Sequence, residues 1–332
     1  MDFAELAGLV GAHAQARAIQ VALKLGVFRA LAGGAADAQS LARVLDCEER
    51  ATALLANALV ALRLLEKNGE EFSLGDTARR YLLDQSDEYL GGMILFDEAI
   101  FPLWAKLEEA IRTGRPARTP DMFQQSGEET KSFIGAMDSL VRARGDARWL
   151  AANLDLTGVK TIADVGGGPG TYVVELLRKW PDLRASIYDL GATLEVARRL
   201  LEQRAAWALD RLELCEVDYL RDELPGPCDV LLLSNIIHSE KAATNAELAR
   251  KCFDALSTGG RVIIKDHIMN RDLTQPRAGA VFSLYLLLTT RGRDYAYEEV
   301  AGWLASAGFA DIRQRALPSP PFTSSLVVAR KP

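Results

Sequence analysis

The chain has 332 residues, 49% hydrophobic and 25% charged, with a formal net charge of −6. That length leaves room for two domains with substantial cores, and the acidic balance argues against a nucleic-acid partner. No apolar run is long enough to suggest a membrane span, and the N-terminus, with Asp2, Glu5 and His13, does not resemble a secretory signal.

Residues 1–90 are Ala- and Leu-rich and predict helices broken at Gly33-Gly34 and Asn68-Gly69. Leu55, Leu59 and Leu62 recur at helical spacing within a helix expected from about Glu49 to Leu65. Leu64 to Leu74 then predicts a hairpin around the Asn68-Gly69 turn. Helices followed by such a hairpin predict a winged helix. Nine basic residues stand against thirteen acidic ones over residues 1–90, and the helix that would enter a groove is mostly Ala and Leu. Packing between two copies is therefore the expected role, with Ile19, Leu23 and Val27 as expected apolar contacts and His13 at the surface or the dimer contact. Residues 91–150 predict a helical linker and substrate lid rich in aromatics and Met. Most of these side chains are expected in the core; Phe133 and Met137 are candidates to line a pocket for a planar apolar substrate.

Residues 151–332 alternate strand and helix, the pattern of a doubly wound parallel sheet. The apolar run Ile162 to Val165 ends in Gly166-Gly167-Gly168-Pro169-Gly170, and a helix from about Tyr172 to Lys179 follows. Glycines at such a turn allow positive φ and close approach of a ligand, and the free N–H groups of the next helix favour a polar or anionic group. A phosphate-binding loop is excluded, because no Lys-Ser or Lys-Thr follows; the dinucleotide spacing fails at Thr171. A second strand ends at Asp189, about 20 residues on, where a carboxylate can accept two ribose hydroxyls. A third strand ends at Asp218. A fourth, Asp229 to Asn235, leads into Ile236-Ile237-His238, which puts His238 on the rim where open α/β sheets bind ligands. A fifth ends at Asp266; Asp294 follows the helix Ala280 to Leu288. Either carboxylate could orient an imidazolium. His267 reads as structural, since alternation points it to the other face. The pair Asp311–Ala316 and Ser325–Ala329, around the Pro-rich Pro318–Pro321, predicts an antiparallel edge hairpin. Cys47, Cys215, Cys228 and Cys252 lack CxxC spacing and read as free thiols in a reducing, cytoplasmic setting. The rim shows no carboxylates or histidines at ligand spacing, so no metal is expected.

Asp164-Val-Gly-Gly-Gly-Pro-Gly170, Tyr188-Asp-Leu190 and Val217-Asp-Tyr219 resemble the class I S-adenosylmethionine (SAM) methyltransferases. With the segment around His238 and the C-terminal Val-Val-Ala-Arg-Lys-Pro, the chain resembles, from about Ala18 to Lys331, the small-molecule O-methyltransferases that carry an N-terminal winged-helix dimerisation domain. Plant caffeate and flavonoid enzymes and bacterial polyketide enzymes belong to that group. The resemblance implies a Rossmann-like α/β domain over residues 151–332, with a seven-stranded sheet whose last strand is antiparallel, and a homodimer formed through residues 1–90. It implies SAM as cofactor, S-adenosyl-L-homocysteine as product, and a hydroxylated small-molecule acceptor of secondary metabolism. Asp164 belongs to the donor site. Gly166 and Gly168 would lie along the methionine moiety and Asp189 would hold the ribose. Leu190 would pack on the adenine, Asp218 would accept its amino group, Tyr219 would stack on it, and Ser234 would sit near the carboxylate. His238 falls on the family's general base, and Asp266 and Asp294 fall on its two supporting glutamates. Asn235, Phe282 and Tyr285 join Phe133 and Met137 as acceptor-pocket candidates.

Three departures accompany the resemblance: the two acids are Asp instead of Glu, the usual His-Asp-Trp reads His238-Ser239-Glu240, and the plant enzymes' bulky aromatic three residues before the His is Asn235. Two other readings stand beside O-methylation. One keeps SAM but changes the chemistry, to N- or C-methylation or to a hydroxylase, decarboxylase or cyclase. The other is a non-enzymatic, dimeric ligand-binding regulator.

Overall fold

The computed structural model describes residues 1–318 and 324–332, so Ser319 to Pro321 of the Pro-rich stretch lie outside the described residues. The chain divides into two units, Met1–Ile100 with Gly135–Ala143, and Phe101–Ile134 with Arg144–Pro332.

In the first unit, α1 (Phe3–Leu25) starts at a capping box: the Asp2 side chain accepts from the Glu5 N–H, and Glu5 accepts from the Asp2 N–H, each at 2.9 Å. It ends at Gly26, whose φ of 84° permits the left-handed cap. Then come α2 (Val27–Ala30), β1 (Ala36–Asp37), α3 (Ala38–Leu45), α4 (Glu49–Ala61), β2 (Leu65–Asn68), β3 (Glu71–Leu74) and α5 (Asp76–Tyr81). β2 and β3 form the expected hairpin, and β1 adds a third antiparallel strand that the sequence did not signal. α4 ends earlier than expected: Leu62 caps it and Arg63 takes a positive φ, turning the chain into β2. Its buried face is Thr52, Ala56 and Leu59. The core gathers Val27, Phe28, Leu31, Leu41, Leu59, Phe72 and Leu74, with Ile19 and Leu23 packed against it. Those last two, with Val27, therefore serve this unit's own core. The apolar surplus sits instead at the start of α1, where Phe3 is 85% exposed and Val10 67%.

α6 (Gly91–Trp104) runs across the division, α7 (Leu107–Thr113) belongs to the second unit, and α8 (Gly127–Arg144) is divided between the two. The second unit continues with α9 (Asp146–Asn153), β4 (Thr161–Val165), α10 (Thr171–Lys179), β5 (Arg184–Asp189), α11 (Gly191–Arg204), β6 (Leu212–Glu216), β7 (Cys228–Ser234), α12 (Ala242–Ala255), β8 (Leu256–Asp266), α13 (Arg277–Thr289), α14 (Tyr297–Ser306), β9 (Ala310–Ala316) and β10 (Ser325–Arg330). The seven-stranded sheet has the order β6-β5-β4-β7-β8-β10-β9. β4 to β8 pair in parallel, and β10 enters antiparallel between β8 and β9. Both faces are covered, so its central strands are near-continuous apolar runs, as in Val230-Leu-Leu-Leu233, all at most 2% exposed. The order reverses between β4 and β7, which opens a crevice at the carboxyl ends of these strands. Among the described residues no helix is long and apolar enough to cross a membrane.

Candidate active site

The turn after β4 places the glycines as the sequence requires. Gly166 and Gly168 have φ of 66° and 53°, and a Cβ on Gly166 would overlap the Ile236 side chain. Gly168 N–H donates to Asp189 Oδ2 and Leu190 N–H to Asp189 Oδ1, both at 2.8 Å. The carboxylate at the end of β5 is thus aimed back at the glycine turn. Burial pushes the Asp189 carboxyl up, against the pull of these two bonds. Asp164 is fully buried below the turn, and neither of its carboxylate oxygens has a hydrogen-bond partner. Burial, with Asp189 nearby, raises its pKa well above the usual carboxylate range. A buried acid without partners marks a place that a polar ligand completes. The Tyr219 ring reaches the same turn, 3.9 Å from where a Gly166 Cβ would be, and Asp218 caps its own loop by accepting from Leu220 N–H at 3.0 Å. This cradle has the chemistry for an adenosine-bearing donor: glycine backbone, a carboxylate aimed at it and an apolar and aromatic wall.

His238 lies on the turn after β7. Its Nδ1 is 2.6 Å from Asp266 Oδ1, with the two side chains 12% and 1% exposed. Burial alone would lower the histidine pKa, but the Asp266 carboxylate outweighs it and the net shift is upward. The same pairing holds Asp266 below its ordinary value, although burial opposes it. With Nδ1–H turned to the carboxylate, the neutral ring carries its lone pair on Nε2. Gly292 packs against this turn: a Cβ there would lie 2.6 Å from Glu240 O and closer still to His238 O.

Asp294 is 2% exposed and bonded through Oδ2 to Ser283 Oγ at 3.2 Å; its Oδ1 lies 3.5 Å from His267 Nδ1. His267 also stands edge-on to Phe282 at 5.2 Å, as His238 does at 5.3 Å. This corrects the expectation that His267 faces away: it lies beyond the last residue of β8, where strand alternation no longer applies. The expectation of no ligand-type cluster on the rim is also corrected. The candidate ligand atoms of His238, Asp266 and Asp294 lie within 4.8 Å of one another. They come from three separate segments, so linear spacing hid them.

Phe282 stacks on Tyr285 with centroids 5.3 Å apart, and Tyr285 meets Trp104 at 6.4 Å. Trp104 is not among the pocket candidates that the sequence offers. Phe133 stacks on Phe123 at 4.8 Å, while Met137 belongs to the first unit. Asn235 takes a φ of 59°, donates to Ser234 Oγ at 3.3 Å, and accepts from Lys265 Nζ at 3.4 Å. Lys265 is fully buried and paired with Asp146 Oδ2 at 2.8 Å; Tyr172 OH donates to the same oxygen at 2.9 Å and Arg144 reaches it at 3.0 Å. Burial lowers the Lys265 pKa to about 8. The signal for this pair was a lysine closing the apolar run Val262-Ile-Ile264.

The family model for the O-methyltransferase domain matches residues 104–310, and that for the O-methyltransferase dimerisation domain matches residues 8–84. The chain belongs to the O-methyltransferase family. It is a SAM-dependent methyltransferase. It is 33% identical to the 3-hydroxy-5-methyl-1-naphthoate 3-O-methyltransferase of Streptomyces sahachiroi, over 91% of this chain and 88% of the relative. It is 32% identical to the tetracenomycin polyketide synthesis 8-O-methyl transferase TcmO of Streptomyces glaucescens, over 95% and 93%. In fold it is similar to human N-acetylserotonin methyltransferase in complex with SAM, with a TM-score of 0.88 at 22% identity, covering 100% of this chain and 98% of that one.

Proposed function

We propose that this enzyme methylates a hydroxyl of an aromatic, polyketide-like small molecule, with His238 as the general base. The observation that carries this reading is the buried His238–Asp266 pair at 2.6 Å, standing edge-on to the Phe282 ring. The aromatic and polyketide substrates in the names of the two Streptomyces relatives support the same class of acceptor. Phe282, Tyr285 and Trp104 offer aromatic surface for a flat ring and keep water from it. Asn235 and Phe133 remain candidates for the rest of that pocket.

When bound, SAM supplies an electrophilic sulfonium methyl group. Asp189 would hold its ribose, Leu190, Asp218 and Tyr219 its adenine, and Asp164, Gly166, Gly168 and Ser234 its methionyl end. His238 Nε2 takes the proton of the acceptor hydroxyl as the oxygen attacks. Asp266 carries the resulting imidazolium through Nδ1 and fixes the ring plane. Asp294, nearer to His267, adds negative charge to the same side of the site.

The test is turnover with SAM on a panel of phenols and aliphatic alcohols, following S-adenosylhomocysteine and the methyl ether. His238→Ala should leave S-adenosylhomocysteine affinity nearly unchanged. It should lower turnover by about 10²–10⁴, the usual worth of a positioned base. The loss should be smaller for an acidic phenol than for an alcohol. Wild-type turnover in the variant would remove His238 from the mechanism and leave positioning as the catalytic device.

The working state is proposed to be a homodimer formed through the first unit. Supporting this, the dimerisation-domain match covers residues 8–84, and Phe3, Leu6, Leu9 and Val10 leave an apolar surface on α1, each at least 46% exposed. Light scattering that returns the mass of one chain at assay concentration would refute it.

A further inference from the structure

We propose that Glu240 is a positioning residue for the donor: its carboxylate holds the Tyr219 phenol and so fixes the ring that closes the adenine end of the site. This rests on the donor reading above. Glu240 is 7% exposed, and Tyr219 OH donates to its Oε1 at 3.1 Å. A buried carboxylate is costly unless its oxygens are satisfied, so this phenol bond is a principal compensation for keeping an acid there. Burial pushes the Glu240 carboxyl up, the phenol bond draws it back, and Arg291 supplies the nearby positive charge.

The Tyr219 loop is also held from below. Lys251, 5% exposed, donates to Tyr219 O at 2.9 Å and to Asp222 O at 2.8 Å. Backbone and ring tip of Tyr219 are thus tied to different elements, Lys251 on α12 and Glu240 on the turn after β7. Glu240 cannot drift, because its own carbonyl accepts from Tyr295 OH at 2.5 Å and Gly292 packs against it. Loss of the carboxylate would leave the loop in place and free only the ring. The consequence falls on the group the ring covers, not on proton removal two residues away at His238. Glu240 occupies the position at which the resemblance expects tryptophan, and here its carboxylate takes the Tyr219 hydrogen bond.

The experiment compares wild type, E240A, E240Q, Y219F and the E240A/Y219F double variant. It measures S-adenosylhomocysteine affinity by calorimetry, and KM for SAM and kcat at saturating donor. E240A and Y219F should each weaken S-adenosylhomocysteine and raise KM by about tenfold, the scale of one hydrogen bond, with kcat changed less than about threefold. The double variant should be no worse than the weaker single one, since both remove the same bond. E240Q, which keeps an acceptor oxygen, should stay within about threefold of wild type. Additive losses overturn the proposal, as does a fall in kcat at unchanged KM, which would mean that Glu240 acts through His238. If E240A does not fold by thermal melting, Y219F decides: unchanged S-adenosylhomocysteine affinity in Y219F overturns it. A wild-type protein that binds no S-adenosylhomocysteine overturns the donor reading itself, whereas wild-type binding with unaffected variants overturns this proposal alone.

Discussion

His238 and Asp266 share more than an ion pair. The carboxylate oxygen that faces His238 Nδ1 at 2.6 Å also accepts the backbone N–H of His267 at 2.9 Å, and the second oxygen faces the backbone N–H of His238 at 3.4 Å. The acid is pinned by the ends of two strands before it holds the ring, so the imidazole inherits its orientation from the sheet.

The pH dependence follows from this pairing. As the proposed base, His238 would have to be neutral to take a proton, and its pKa is held above the ordinary 6.5. Turnover should therefore rise with pH through a value above 6.5 and fall away below it. In Asp266→Asn the main upward pull is gone and burial outweighs the Asp294 charge that remains, so the acid limb should move to lower pH while the plateau drops. A limb that stays in place in Asp266→Asn would show that Asp266 does not set the histidine pKa. For stability the raised His238 value contributes fully below 6.5 and is lost as pH rises through it. The lowered Asp266 value contributes fully above 3.8 and is lost as pH falls.

Asp266 and Asp294 should not be equivalent. Asp266 touches His238, whereas the histidine nearest Asp294 is His267, at 3.5 Å. Asp266→Ala should therefore cost more turnover than Asp294→Ala, and in the His238→Ala background neither should add much, because groups acting as a unit are not additive. Equal and additive losses measured by steady-state kinetics would separate the acids from the base.

Lys265→Met should destabilise the fold by about 3–5 kcal/mol, because it strips Asp146 of a buried partner. Both side chains are 1% exposed, so solvent cannot replace the lost charge. Adding Asp146→Asn should recover part of that loss. Urea denaturation checks both; a change under about 1 kcal/mol in Lys265→Met would mean that Arg144 alone satisfies Asp146.

Asp189→Ala should weaken S-adenosylhomocysteine binding by one to two orders of magnitude, from two hydrogen bonds to a charged group at roughly 1.5–3 kcal/mol. Calorimetry reads it directly, and unchanged affinity would remove the ribose from Asp189.

Most of the sheet and the glycine turn were legible because they rest on local rules. β-branched runs make buried strands, and four glycines with a proline permit only a tight turn. His238 was legible because a strand end is a position that sequence can count. What was hidden lies where segments meet in space. The partnership of His267 with Phe282 depends on the path after β8. The choice of Asp294 between two histidines depends on the path of the chain after α13. The burial of Lys265 against Asp146 joins residues more than a hundred positions apart. β1 was missed because two residues carry no periodicity, and it exists only as a pairing with β3.

Gly292 gives the site an economy of variation. Its bare Cα lies against the carbonyls of both His238 and Glu240, so one missing methyl group sets the spacing of the two residues together. That turn is closed to gradual change: any side chain at 292 would displace the backbone of His238 and of Glu240 in a single step. Of the half-buried rings of α13, Phe282 stands edge-on to His238, whereas Tyr285 packs on Phe282 and Trp104. Tyr285 is thus the α13 ring that can change without moving that turn.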